Sequence, residues 1–345
     1  MNKQATNGPD WLDAVQQPPA ETLRSPPALR PLLTDDTGLP AESLSDWEHR
    51  RFELLGQWED FLGPIKETRD PSPGYEVLEQ TSLQDVVRLR IRYPVEPECW
   101  VEAYLLKPID HQEPLPGVIV FHSTVPQTIR QPSGIEGEPE KAFGLQLARQ
   151  GYITLCPRCF LWESGHRHFF SWHARRQVQR MQRRHPQAKG MSKMLHDAQV
   201  GLDVLAQMPE VAPKRLGAVG HSLGAKQALY LSALDDRVRV AVSSEGGIGR
   251  SFCNWTAPWY LGKSKSAADA QREHHELLAL IAPRAFLLVG GDSADGDHSW
   301  PFIQQALTVY RLYGGRPRIG FYNHRRGHTV PRLSLIHISE PTRPA

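Results

Sequence analysis

The sequence predicts an α/β fold with a mostly parallel, doubly wound sheet, and three observations carry that prediction. Gly117-Val118-Ile119-Val120-Phe121 is a continuous apolar run, the pattern of a strand buried on both faces. Downstream of it, strand-like and helix-like segments alternate, as they do when a parallel sheet is wound with crossover helices. Gly220-His221-Ser222-Leu223-Gly224 falls where one such strand meets one such helix. The 345 residues are enough for one large domain of this class.

The elements follow in order. Residues 1–43 are rich in Pro, Ala and Thr and read as an arm, ordered only where it docks. Trp47, Phe52, Leu54, Leu55, Trp58 and Leu62 recur at roughly helical spacing. Val86–Ile91 and Trp100–Leu105 read as an antiparallel strand pair that leads into the sheet. After the apolar run at 117–121 come a helix at 142–150, a strand at 152–155 and a periodic helix at 191–207. The strand 216–220, the helix 225–233 and strands at 238–243, 285–289 and 318–322 complete the pattern. The stretch from Ser164 to His196 breaks the rhythm, because its charged residues, from Arg167 to Lys193, are all basic. A lid segment over about 160–190 is expected there, either a solvated helix face or a cover that attracts an anionic substrate.

Composition narrows the function classes. At 40% hydrophobic and 23% charged the chain reads as an ordinary soluble globular protein, and a net charge of +2 provides no global field for nucleic acid. The N-terminus lacks the apolar core of a secretory leader, and no apolar run approaches the roughly 18–20 residues of a membrane span. A cytoplasmic location without membrane contact is the expectation. Four Cys form no disulfide framework. Cys156-Pro157-Arg158-Cys159 closes a strand instead of opening a helix, so a structural role is expected for it rather than a redox one. His166, His168 and His173 lack a carboxylate partner, so neither a metal nor any other cofactor is expected. The tail from Leu333 to Arg343, LSLIHISEPTR, resembles a translated sequencing adapter. Residues 333–345 are therefore expected to be foreign to a domain that runs from 44 to 332.

The chemistry centres on Ser222. A serine in G-x-S-x-G between strand and helix is lifted above the sheet by a tight turn, and the following amide, Leu223 N–H, can donate to an oxyanion. A hydroxyl needs a base, and in this arrangement the chain order is Ser, acid, His. His328, in a Gly-containing loop after the last strand, is the expected base, with His324 the alternative. Two carboxylates compete to orient it. Asp297 is favoured because Trp300-Pro301 then opens the next helix, with Asp295 and Asp292 as alternatives. Glu245, at the C-terminal edge of the preceding strand, is the rival. The second oxyanion donor is expected from the loop His122-Ser123-Thr124-Val125, with Thr124 N–H ahead of Ser123 and with His122 supporting the loop. Trp162, Phe169, Phe170, Trp172, Trp255, Trp259 and Tyr260 are candidates for a pocket wall.

From Val86 to Arg332 the chain resembles the dienelactone hydrolase and acetyl xylan esterase branch of the α/β-hydrolases. The resemblance rests on Phe121-His122-Ser123-Thr124, Gly151-Tyr152, the GHSLG turn, Leu234-Asp235-Asp236-Arg237-Val238 and Gly327-His328. It implies an α/β-hydrolase fold and cofactor-free cleavage of carboxylic esters. Dienelactone hydrolases proper carry Cys where Ser222 stands. A narrower likeness is to glucuronoyl esterases, through Ser222 with Lys226 four residues on and through Glu245-Gly246-Gly247. That family can place its acid where Glu245 stands, and its nucleophile is usually followed by Arg, where this chain has Leu223. The expected reaction is ester hydrolysis through an acyl-enzyme, on a small ester that is either anionic or carbohydrate-linked. A thioesterase or peptidase on the same residues, or a non-catalytic binding protein of the same fold, are the alternatives. Oligomeric state is left open.

Overall fold

The computed structural model describes residues 11–20, 27–34, 38–66, 69–70, 72–162, 170–264 and 266–330. In chain order the strands are β1 (Glu76–Ser82), β2 (Val86–Glu96), β3 (Cys99–Pro108), β4 (Leu115–Phe121), β5 (Ile153–Pro157), β6 (Val211–His221), β7 (Val238–Ser244), β8 (Ala285–Gly290) and β9 (Ile319–Asn323). They form one sheet in the order β1-β2-β3-β5-β4-β6-β7-β8-β9. β1, β2, β3 and β5 pair antiparallel, and every pairing from β5 through β4 to β9 is parallel. The fold is that of an α/β-hydrolase.

The helices are α1 (Trp11–Ala14), α2 (Leu44–Leu62), α3 (Phe143–Arg149), α4 (Phe170–Arg184), α5 (Gly190–Ala206), α6 (Leu223–Leu234), α7 (Ala267–Gln271), α8 (His275–Ile281) and α9 (Trp300–Leu312). α2 begins with a capping box: Ser43 Oγ accepts the Asp46 N–H, and the Asp46 carboxylate accepts the Ser43 N–H. Its buried face, Trp47, Leu54, Trp58 and Leu62, covers α8, and Trp58 Nε1 donates to Glu276 at 2.9 Å. Two apolar layers sandwich the sheet. The larger layer contains α2, α5, α6, α8 and α9, and the smaller is centred on α3. Cys156 belongs to the smaller layer and Cys159 to the larger, and both are unpaired thiols pushed up to about 12 by burial. This CxxC therefore packs the sheet from both sides.

Several elements differ from the sequence reading. β1 was not expected, because its side chains are almost all exposed and carry no apolar alternation; backbone pairing to β2 creates it. The sequence reading also lacks the short helices α1, α7 and α8. In the expected lid, residues 163–169 lie outside the described residues, and the remainder is α4. Ala174, Val178 and Met181 anchor α4 in the larger layer, so it is docked along one side while its Arg side chains face outward. The arm docks as well. The Phe321 N–H donates to Val15 O at 2.7 Å, and Gln16 Nε2 donates to Pro317 O and Ile319 O, which covers the exposed edge of β9.

Candidate active site

Strand order reverses at β4, which lies between β5 and β6. The loops after β4 and β6 therefore diverge at the C-terminal edge of the sheet and leave a crevice there. Ser222 sits in this crevice, at the N-terminus of α6, with φ 59° and ψ −116°. A non-glycine residue at positive φ is strained, and the surrounding structure holds it in place. The Ser222 N–H donates to Ser244 O at 2.8 Å, and its carbonyl accepts the Ala225 N–H. The hydroxyl does not cap α6 and so remains available for chemistry. Two glycines make the turn possible. A Cβ on Gly220 would run into the backbone of Gly224, and one on Gly224 into the carbonyl of Phe121.

The sequence-predicted base meets one of the two rival acids. His328 Nδ1 is 3.0 Å from Glu245 Oε2. Glu245 follows β7 with φ 55°, and its carboxylate is buried. Its Oε2 also accepts the Ala294 N–H at 2.8 Å, and Oε1 accepts the Gly291 N–H. Burial alone would raise this carboxyl. The hydrogen bonds from His328, Ala294 and Gly291 outweigh burial and hold it below the usual carboxylate range. The carboxylate is thus an anion aimed at Nδ1, the arrangement that leaves Nε2 of His328 as the acceptor.

Asp297 lies elsewhere. Its Oδ1 accepts from Asn323 Nδ2 at 2.8 Å and its Oδ2 from Arg325 at 2.7 Å, so both oxygens are used to tie down the loop after β9. The sequence offset before Trp300-Pro301 points to the loop after β8, whereas the carboxylate that meets His328 comes from the loop after β7. Asp292 also pairs with Asn323 and Arg325. Asp295 is fully buried and accepts the N–H groups of Gly247 and Ile248 at 2.7 and 2.8 Å and the hydroxyl of Ser299. The two loops therefore exchange amides: Glu245 takes two from the β8 loop, and Asp295 takes two from the β7 loop. Side-chain pairing across two loops leaves no sequence signal, so neither partner set was foreseen.

Three further imidazoles lie around the site. His221, next to Ser222, lies 4.6 Å ring to ring from His328. Burial, followed by the neighbouring His328, pushes it down to about 3, so it stays neutral. His324 is set back: its Nδ1 accepts the Arg326 N–H and its ring lies under Gly291. His122 is buried and neutral, pushed down to about 4 by burial. Its Nδ1 bonds the Ser123 carbonyl at 2.7 Å, and its Nε2 accepts the Cys159 N–H at 3.1 Å. It therefore braces the loop that carries Thr124. Among the described residues, no protein acceptor takes the N–H of Leu223 or of Thr124, the two expected oxyanion donors.

The aromatic candidates divide. Trp162 stands edge-on to His122 at 5.1 Å. Trp255 is buried under Lys226, whose ammonium lies 3.8 Å from its ring centroid and bonds Gly246 O, while Trp255 Nε1 donates to Gly247 O at 2.7 Å. These contacts stiffen the turn after Glu245. Trp172 is exposed on α4. Trp259 and Tyr260 stand ring to ring beyond Trp255. Phe169, the Phe170 side chain, His166 and His168 lie outside the described residues, and His173 packs edge-on against Trp172.

Residues 101–283 match the Dienelactone hydrolase family. A 4-O-methyl-glucuronoyl methylesterase of Neurospora crassa is 24% identical over 154 residues, 35% of this chain and 38% of that protein. This chain thus spans well under half the length of that relative. The protein YtaP of Bacillus subtilis (strain 168) is 30% identical over 232 residues, 62% of this chain and 72% of that one. Among solved structures, a glucuronoyl esterase from Solibacter usitatus superposes with a TM-score of 0.67 at 17% identity, covering 94% of this chain and 98% of that one. This last likeness is one of fold.

Proposed function

The chain belongs to the dienelactone hydrolase family, and from that premise we propose that it is a serine esterase working through Ser222, His328 and Glu245. The observation that carries the proposal is the 3.0 Å contact of His328 Nδ1 with the buried Glu245 carboxylate, next to a serine held at φ 59° on the strand-to-helix turn. In this reading Ser222 Oγ attacks the ester carbonyl as His328 Nε2 takes its proton. Leu223 N–H and Thr124 N–H receive the oxyanion. The tetrahedral intermediate collapses, and His328 returns the proton to the leaving alcohol. Water, activated by the same imidazole, then releases the acid. Glu245 stays ionised and stabilises the imidazolium formed in each step.

The substrate proposed is a carboxylic ester on an acidic or carbohydrate framework. The support is the similarity to proteins named as glucuronoyl esterases, together with the exposed Arg175, Arg176, Arg180 and Arg183 of α4. The test is active-site labelling with a fluorophosphonate, paired with a panel of p-nitrophenyl esters, thioesters and peptide anilides. Labelling of the wild type and not of Ser222→Ala, with turnover of the esters, is the expected result. A folded wild type that neither labels nor turns over any member of the panel would leave a binding protein of this fold as the better reading.

A further inference from the structure

A second concave site lies at the opposite edge of the sheet from Ser222. β6, β7, β8 and β9 begin there, side by side, and residues near their starts line a cleft of about 510 Å³ with the turn between α9 and β9. Along β7, the run from Arg239 to Glu245 puts this cleft about 20 Å from the Glu245 end of the sheet. Six cations line it, Lys214, Arg215, Arg239, Arg284, Arg316 and Arg318, and among the described residues no acid does. Cations at this edge can serve the carbonyls of the helices that end there, and Arg284 does so. It is buried and donates to the carbonyls of Ser232, Asp235, Val238 and Leu280, around the ends of α6 and α8. Burial, joined by the like charges of Arg51 and Arg239, holds its guanidinium below the usual range. Arg316 pairs with Asp13 of the docked arm. Lys214, Arg239 and Arg318 are exposed and have no ion-pair partner among the described residues. A cleft lined by one sign of charge focuses its field and gathers ions of the other sign.

We propose that this cleft binds an oligophosphate chain. The site is remote from Ser222, and the proposal is independent of the esterase reading. Each feature answers one part of such a ligand. The guanidiniums of Arg239 and Arg318 match phosphate oxygens in two-point hydrogen-bonded pairs, and the Lys214 ammonium adds a compact charge beside them. Three unpaired cations around one cleft call for several negative charges held close together, which a phosphate chain carries and a single small anion does not. Two tyrosines also line the cleft, but their hydroxyls are engaged within the protein: Tyr310 donates to Arg284 O at 2.8 Å and Tyr313 donates to Glu48. Among its side chains, the donors left for a ligand are therefore the cations. The volume is that of a small-molecule site.

Direct binding tests this without reference to catalysis. The wild-type protein is titrated with inorganic tripolyphosphate and with orthophosphate by calorimetry, at low salt and without divalent cations, because screening weakens exposed charges. Tripolyphosphate should bind, and orthophosphate should bind at least about tenfold more weakly, the difference expected from one charge-assisted hydrogen bond. The triple change Lys214→Gln/Arg239→Gln/Arg318→Gln, all exposed and checked for folding by circular dichroism, should weaken tripolyphosphate by at least about tenfold. Arg175→Gln/Arg176→Gln/Arg183→Gln on α4 removes the same charge elsewhere and should change affinity by less than about twofold. ATP separates the sources of the chain: binding as tight as tripolyphosphate or tighter assigns a nucleotide, and weaker binding assigns free oligophosphate. Absence of binding, equal affinity for orthophosphate, or equal losses in the two triple variants overturns the site. Tighter binding of a single-stranded oligonucleotide than of tripolyphosphate, lost in the cleft variant, would make this edge a nucleic-acid surface and overturn it as well.

Discussion

Replacing Glu245 by Gln tests the active site most directly, because the carboxylate serves three donors and an amide can serve them only in part. Oε2 receives His328 Nδ1–H and the Ala294 N–H, and Oε1 receives the Gly291 N–H. In one orientation the Gln oxygen keeps His328 and Ala294, and its NH2 is driven against the Gly291 N–H. In the other it keeps Gly291, and the NH2 faces Ala294 and the imidazole. That second orientation favours the tautomer in which Nδ1 accepts, which puts the proton on Nε2, where it cannot take one from Ser222. Either way a buried donor loses its acceptor, a cost of about 1–3 kcal/mol in stability. A triad whose acid no longer sets the tautomer loses on the order of 10³–10⁴ in kcat. Asp297→Asn should change kcat by less than about threefold, since its partners are Asn323 and the half-exposed Arg325, a surface pair of small worth. The assay is steady-state p-nitrophenyl acetate hydrolysis, with urea unfolding as a check that each variant is folded. The reasoning is refuted if Asp297→Asn loses as much activity as Glu245→Gln, or if Glu245→Gln retains more than about a tenth of kcat.

Other expectations follow from the same packing. Gly224→Ala forces a methyl into the Phe121 carbonyl, a backbone group with no rotamer to relieve the clash, so a loss of about 3 kcal/mol and of activity is expected; wild-type stability by urea denaturation would contradict it. Gly56→Ala, inside α2 with open space at its Cβ, should instead stabilise by about 0.5–1 kcal/mol, and a lowered melting temperature would be the contrary result. Burial raises the Glu273 carboxyl to about 7, against the His274 and Arg250 N–H groups that it accepts. An acid raised on folding binds its proton more tightly in the folded state. Its contribution is therefore full below about pH 4.3 and is lost as pH rises through 7, a change on the order of 3 kcal/mol. Glu273→Gln should flatten the pH dependence of the urea midpoint across that window, and an unaltered slope would sink the assignment.

Local pattern was enough for the outline of the fold and for half of the site. The apolar run of β4 and the alternation after it specify a parallel sheet because a strand buried on both faces must be apolar throughout. The GHSLG turn is legible because its two glycines are demanded by contacts within a few residues of the serine, or on the neighbouring strand. The candidate base, His328, was legible because a histidine in the loop after the last strand can reach the same edge of the sheet. β1 was not legible: its exposed side chains carry no pattern, and backbone pairing alone makes it a strand. The Arg-rich sequence of α4 concealed a narrow apolar stripe that becomes meaningful only against the sheet.

Which carboxylate meets His328 is where tertiary structure decided. Asp292, Asp295, Asp297 and Glu245 are chemically similar and all lie at the same edge of the sheet. Sequence spacing cannot show that Asn323 and Arg325 draw Asp297 away, or that Asp295 is occupied by Gly247 and Ile248. Those partners come from elements far apart in the chain and are joined only when β7, β8 and β9 lie side by side. The sequence by itself determined the sheet and marked Ser222 and His328 as the candidates for nucleophile and base. Which carboxylate faces that histidine depends on how three loops share their hydrogen-bond donors, and only the assembled sheet brings those donors together.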